Sequence, residues 1–407
     1  MFAKKPRYIT GLDIGTTKIC AIIGELDQNN ELKIIGFGTN PSNGLKKGIV
    51  IDIEETVKSI QNAMWKAEEM AGIQVKEVFI GIAGCHITSM NHKGVTPVTN
   101  PDRGIVESDI RDAHEKAKAI SIPSDREIIN YFPQEYIIDD DDGIKNPLGM
   151  SGHRLEVKMH IVTANVASVN NIKRSVEQAG YKWNELLLES LASGYSTLSD
   201  SEKELGVLLL DIGGGTSDFA IFRNHSVRFS SVIPFGGDNV TNDISYILRI
   251  SKFDAENLKK VQGCAYMPLV DDDEEIEIRS VFENRTKRIK KKYLAEVIQA
   301  RTEEIFNLTK KKLDESKHKD SYMAGVVLTG GSSLMKGMPE LAEEIFGVPV
   351  KIGLPQGLKG ITSVISSPIY STGVGLVLYG QDPNKEPVEH LNYFGKFLNR
   401  LKNFFEV

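Results

Sequence analysis

The chain has 407 residues, 41% of them hydrophobic, which is enough for two core-bearing domains. A net charge of -6 and a pI near 5.9 argue against a general nucleic-acid binder. Three scattered cysteines, Cys20, Cys85 and Cys264, fit a reducing cytoplasm without a C-x-x-C pair. The eight histidines show no H-E-x-x-H spacing, so no transition-metal site is expected.

The start, MFAKKPRYITGLDIG, passes from basic residues into a strand without the apolar stretch of an export signal. No window reaches the roughly eighteen apolar residues that a membrane span needs. The chain is expected in the cytosol or on the cytosolic side of a membrane.

Residues 8–23, YITGLDIGTTKICAII, read as strand, turn and strand, with Asp13, Gly15, Thr16, Thr17 and Lys18 around the turn. Segment 86–162 follows the apolar stretch KEVFIGIAGCHI. It begins with a helical I-x-x-S-D-I-x-x-A-x-x-x-A pattern, for which Ser108 is the expected N-cap. Alternating strands follow, with turns at Pro147 and Gly149. NELLLESLASGYSTL (184–198) reads as a helix carrying Glu189.

Residues 206–222, GVLLLDIGGGTSDFAIF, repeat the first pattern with Asp211, Gly213, Gly214, Gly215 and Thr216. Glycine lets such a turn approach a ligand closely, and successive N–H groups with threonine hydroxyls cradle phosphate oxygens. An aspartate ending each strand can hold Mg2+ through its waters, so Asp13 and Asp211 are the metal candidates. Repetition within one chain points to a duplication, with two halves facing across a cleft. PFGGDNVTNDI (234–244) is a helix start with Gly237, Asp238 and Asn239. AGVVLTGGSSLMKGMPELAEEIF (324–346) is a buried strand, a Gly330-Gly331-Ser332 turn and an amphipathic helix.

Two acidic runs, 139–142 and 271–275, lack EF-hand spacing and read as solvated loops or turns. RTKRIKKK (285–292) packs six cations into eight residues and reads first as a solvated loop and helix start. The tail repeats large apolar residues at spacings of three and four: Phe394, Phe397, Leu398, Leu401, Phe404 and Phe405. Lys396, Arg400 and Lys402 lie largely on the other side. Such a basic amphipathic helix suits a bilayer interface. Docking on the core would explain the apolar stripe but not the cations or the polar QDPNKEPVEH before it. Residues 390–407 carry a net charge of +2, leaving -8 on the rest, so the tail should decide attachment. One tail should bind reversibly and several on one assembly tightly.

Two phosphate loops followed by an adenosine loop resemble the actin, Hsp70 and sugar-kinase superfamily. That likeness implies an α/β, actin-like (ribonuclease H-like) duplicated fold around an ATP cleft, with Asp238 and Asn239 near the ribose. Gly330, Gly331 and Ser332 would border the adenosine. Glu189 would be the catalytic candidate, positioning or activating water; pairing with a base or capping a helix are its other readings. The early insertion, with DREIINYFPQEYIID and IKNPLGMSGHRLE, and SVNNIKRSVEQAGYKWNELLLESLASG resemble the FtsA family of bacterial cell division proteins.

The resemblance covers roughly residues 7–380. It divides the chain into a first core at 1–85 and 163–204, with the insertion at 86–162, and a second core at 205–240 and 305–380. An extra subdomain follows at 241–304, a linker at 381–390 and a membrane-targeting helix at 391–407. It implies ATP and Mg2+ as cofactors, weak ATPase activity at most, and self-assembly into filaments. It also implies attachment of FtsZ polymers to the cytoplasmic face of the cell membrane at the division site. Lys290, Lys291, Lys292 and Arg301 are its candidates for holding the FtsZ C-terminal peptide, and the insertion would recruit later division proteins. A pilus-assembly relative or a small-molecule kinase of the same superfamily are the alternatives.

Overall fold

The computed structural model describes residues 7–279, 286–316, 318 and 321–382. The expected membrane helix and most of the linker therefore lie outside the described residues. Among those described, no helix is long and apolar enough to cross a membrane.

Two sheets share one topology. In the first half Arg7–Ile14 pairs antiparallel with Lys18–Leu26, which pairs antiparallel with Leu32–Pro41; on its other side Arg7–Ile14 runs parallel to Glu77–Ile82. In the second half Val207–Ile212 pairs antiparallel with Ser217–Arg223, which pairs antiparallel with Ser226–Ile233; its parallel neighbour is Val326–Thr329. The segments ITGLDI and VLLLDI are buried without a break, Asp13 and Asp211 included, as strands covered on both sheet faces are. One core fills the first half and continues onto one face of the second sheet through Leu209, Ala220 and Val327; a second core, around Leu208, Leu210 and Phe219, covers that sheet's other face. Phe219 and Phe306 are wholly buried in the second, and truncating either to alanine should cost about 3–5 kcal/mol.

The segment 184–198 is only partly helical. Lys182–Leu188 is an edge strand of the first sheet, and the helix starts at Glu189 and runs to Thr197. It crosses the helix Ser371–Gln381, and the contact is so close that a Cβ on Gly375 would sit 1.7 Å from the Ala192 carbonyl oxygen. Small residues thus bring the two helices together beneath the cleft.

The insertion forms its own four-stranded sheet, in the order Thr88–Pro97, Arg154–Asn165, Arg126–Ile138, Asp141–Ile144, covered on one face by the helix Glu107–Lys118. Ser108 is not the N-cap. The helix begins one residue before it, and the Asp109 carboxylate takes the capping role, accepting from Val106 N–H at 3.1 Å and Thr99 Oγ1 at 2.5 Å. The carboxylate thus closes the helix start at Val106 and ties it to the loop at Thr99, which the exposed Ser108 is not placed to do. The other face of the sheet meets Ser226–Ile233 of the second half through polar contacts. Ser89 Oγ donates to Ser230 O at 2.7 Å, and Gln134 Nε2 donates to Val227 O at 2.7 Å.

Candidate functional site

Both Gly-containing turns close in the same way: Gly15 N–H donates to Lys18 O at 3.1 Å, and Gly213 N–H to Thr216 O at 3.0 Å. They face each other across a cleft of about 530 Å³. A Cβ on Gly214 would lie 1.8 Å from Thr17 Oγ1, and one on Gly215 would lie 2.6 Å from Thr16 Oγ1. Only glycine lets these turns approach so nearly.

The third and fourth loops lock onto the second turn. Gly237 and Asp238 N–H groups donate to the Gly213 and Gly214 carbonyls at 2.9 and 2.8 Å, and Ser332 Oγ donates to Gly213 O at 3.1 Å. Gly330 has φ +81°, and a Cβ there would meet Asp211 Oδ1 at 2.3 Å, so the strand end needs glycine twice over. Of the residues expected around a nucleotide, all line the cleft except Asn239. Its Oδ1 instead accepts from Gly236 N–H at 3.1 Å and so closes the helix start.

Carboxylates crowd the cleft floor. Asp13 pairs with Lys18 at 2.7 Å. Burial would depress the Lys18 ammonium, but Asp13 outweighs it and holds the charge on. Asp211 accepts from Ser193 Oγ at 2.6 Å and Thr372 Oγ1 at 3.2 Å. Burial pushes its pKa up to about 6 despite those bonds. Asp218 stands opposite Asp211 in the strand register and is pushed up to about 8 by burial. Burial, then the nearby Asp13, Asp218 and Asp211, raise Glu189 well above the usual carboxylate range. Among the described residues Glu189 Oε1 and Asp218 Oδ1 are buried without a hydrogen-bond partner. Three carboxyls that resist ionisation beside unpaired oxygens suit a cation that would balance them. Among the described residues no group of three or more acidic, histidine or cysteine side chains is close enough together to hold an ion by itself.

Several cleft residues were not anticipated from sequence. Asp218 lies just behind the cleft lining, where its Oδ2 accepts from Thr216 Oγ1 at 2.8 Å; it was within reach of a sequence reading, two residues beyond Thr216 in the same motif. Lys259, which donates to Gly237 O at 3.0 Å and pairs with Glu256 at 2.7 Å, sits in a charged helix with no local mark. Burial opposes Glu256's charge, yet Lys259 and Thr241 hold it down at about 2. Thr372 and Ile369 arrive from the returning chain.

The cations expected at a partner site lie elsewhere and are paired. Lys290 and Lys291 meet Asp273 and Glu274 at 3.1 and 2.8 Å, and Lys292 meets Asp272. The acidic run 271–275 and the basic run thus face each other across the hairpin Glu275–Arg279/Thr286–Lys290. Arg301 is held by Asp243 at 2.5 Å and by Glu304.

Duplicated sheets, paired Gly-containing turns and a carboxylate-floored cleft define an actin-like α/β protein. Solved structures agree on the fold. The chain resembles the "PilM-PilN type IV pilus biogenesis complex" with TM-score 0.67 and 16% identity, over 92% of this chain and 99% of that one. It also resembles MreB5 of Spiroplasma citri bound to ADP, with TM-score 0.55 and 16% identity, over 91% and 94%. Family models described as "Cell division protein FtsA" and "SHS2 domain inserted in FTSA" match residues 208–375 and 84–163. Cell division protein FtsA of Pseudomonas aeruginosa is 46% identical over 92% of this chain and 89% of its own length. That of Neisseria meningitidis is 40% identical over 99% of each. The Escherichia coli protein is 37% identical over 95% and 92%. The chain belongs to the FtsA family of cell division proteins.

Proposed function

We propose that the cleft binds ATP with Mg2+, and that nucleotide-dependent self-assembly lets this cell division protein tether FtsZ polymers to the cytoplasmic face of the membrane. The observation that carries the reading is the approach of Gly214 and Gly215 to Thr17 and Thr16, which places two sets of turn N–H groups and hydroxyls around one space. Phosphates would lie between the turns at Gly15–Lys18 and Gly213–Thr216. Asp238 and the Gly330–Ser332 turn would face the sugar and base. Asp13 and Asp211 would hold the hydrated metal, which would neutralise phosphate charge. Glu189, with one oxygen free, would orient a water; while it keeps its proton it would be a poor base, so any hydrolysis would be slow.

The tail from Phe394 to Phe405 would supply membrane contact, and the linker's brevity would keep the body close to the bilayer. The surface around Lys290, Lys291, Lys292 and Arg301 would receive the FtsZ C-terminal peptide, with the pairing acids giving way to the peptide's own. The 86–162 subdomain would present a surface to later division proteins. Family membership favours this reading over a pilus-assembly protein or a small-molecule kinase. Sedimentation with anionic vesicles, comparing the full chain with one ending at Glu386, tests it. Pelleting of the full chain alone, strengthened by Mg-ATP, is expected; equal pelleting of both, or of neither, would defeat the tether.

A further inference from the structure

A second cleft, of about 610 Å³, opens where the inserted sheet meets the second half. Lys93 and Lys158 reach it from the insertion and Arg228 from the strand Ser226–Ile233. The lysines are already matched: Lys158 Nζ lies 2.5 Å from Glu135, and Lys93 Nζ lies 2.5 Å from Glu156.

Arg228 is different. Its side chain is only 14% exposed, and its Nε donates to Arg223 O at 3.2 Å. Its nearest acid, Glu135, is 3.8 Å from Nη1, which is an ion-pair distance but not a hydrogen bond. Among the described residues its two terminal nitrogens donate to no acceptor. The neighbouring amides do not help, because Asn91 and Gln134 donate to the Arg228 and Val227 carbonyls rather than accepting from the guanidinium. Burial, and Arg223 beside it, disfavour the charge that Glu135 partly supports. Three cations against two carboxylates leave one positive charge unmatched, and it sits on the residue with the most unused donors.

A nearly buried guanidinium with both terminal nitrogens free is built to grip two oxygens of one group. We propose that this cleft binds a small oxyanion, phosphate or carboxylate, with Arg228 as its forked anchor and Lys158 as a second donor. Such a ligand contacts both the insertion and the second half and so bridges them. Neither the central cleft nor the tail takes part.

Calorimetric titration of inorganic pyrophosphate, and separately of succinate, into the full chain tests the site. Three variants accompany it. Arg228→Gln removes the fork, Lys158→Gln removes the second donor from the more exposed side, and Thr216→Ala alters only the central cleft. At least one probe is expected to bind at a site that is weakened about tenfold or more by Arg228→Gln and measurably by Lys158→Gln and that persists in Thr216→Ala, whatever pyrophosphate the central cleft also takes up. Phosphate chemistry is assigned if pyrophosphate alone binds, and a general oxyanion site if both do. Loss in Thr216→Ala with both pocket variants unaffected would place the anion in the central cleft and overturn the proposal. Absence of binding by either probe at millimolar concentration would overturn it too, leaving Arg228 to water.

Discussion

His160 Nε2, in the inserted sheet, lies 2.9 Å from Ser230 Oγ in the second half, and its Nδ1 lies 2.7 Å from Asn91 Oδ1. Asn91 Nδ2 donates to Arg228 O, so Oδ1 is the acceptor, Nδ1 carries the proton and Nε2 accepts from the serine. The insertion is therefore joined to the second half by a buried imidazole that must stay neutral. Burial holds its pKa down at about 3, against an ordinary 6.5.

That depression fixes a pH window. The unfolded chain takes up a proton on this residue below 6.5 and the native chain does not until about 3. His160 thus contributes stability that is complete above 6.5 and is lost as pH falls towards 3, on the order of a few kcal/mol. Denaturant titrations across that range should show a steep acid limb in the natural chain and a flatter one in His160→Gln. Parallel limbs would show that His160 is not the group responsible.

The cleft carboxyls act with the opposite sign. Burial pushes Asp211 up to about 6 and Asp218 up to about 8 in the folded chain, so they hold protons that the unfolded chain has released. Their contribution is present at low pH and is lost as pH rises through those values. A cation that favours the ionised forms should therefore stabilise more at high pH. The rise in Tm on adding Mg2+ should be larger above pH 8 than below pH 6; an equal rise would remove these groups from the metal's surroundings.

Glu189→Gln puts a neutral amide where the nucleotide-free cleft already disfavours an ionised carboxylate. Its expected effects are a higher Tm without ligand, retained ATP affinity, and ATP turnover lowered by about 100-fold or more. Unchanged turnover would leave Glu189 a structural residue.

The hairpin pairs make a prediction about direction. Exposed pairs contribute little, so Asp272→Asn with Glu274→Gln should cost no more than about 1 kcal/mol of stability. Freed from those acids, Lys291 and Lys292 should bind a fluorescent FtsZ C-terminal peptide more tightly. Weaker binding, read by fluorescence polarisation, would mean that the acids rather than the lysines meet the peptide.

Local chemistry explains which parts of this molecule were legible in the sequence. The turns at Gly15 and Gly213 were readable because strand, glycine, threonine and strand are adjacent in the chain and the same order recurs. Gly330 was readable for a similar reason, as a strand end opening towards a helix. Lys259, Thr372 and Ile369 reach the cleft only through tertiary packing, which no spacing announces. Asn239 lies outside the cleft lining because a helix start uses the same residue types as a ribose contact, and here the backbone takes its side chain. Ser108 lost its capping role to Asp109 because Thr99, from a neighbouring loop, supplies that carboxylate with further donors. The acidic and basic runs looked like separate solvated segments, and their meeting across a hairpin is set by register alone.

The reading depends most on the two turns closing around one nucleotide, and Gly214→Ala tests that directly, since its methyl would collide with Thr17. Isothermal titration of Mg-ATP into the natural chain and the variant, with circular dichroism to confirm that both are folded, is the measurement to make. Binding by the natural chain and a loss of about 100-fold or more in the variant, at unchanged secondary structure, are expected. Equal affinity in both, or no binding by either, would contradict it.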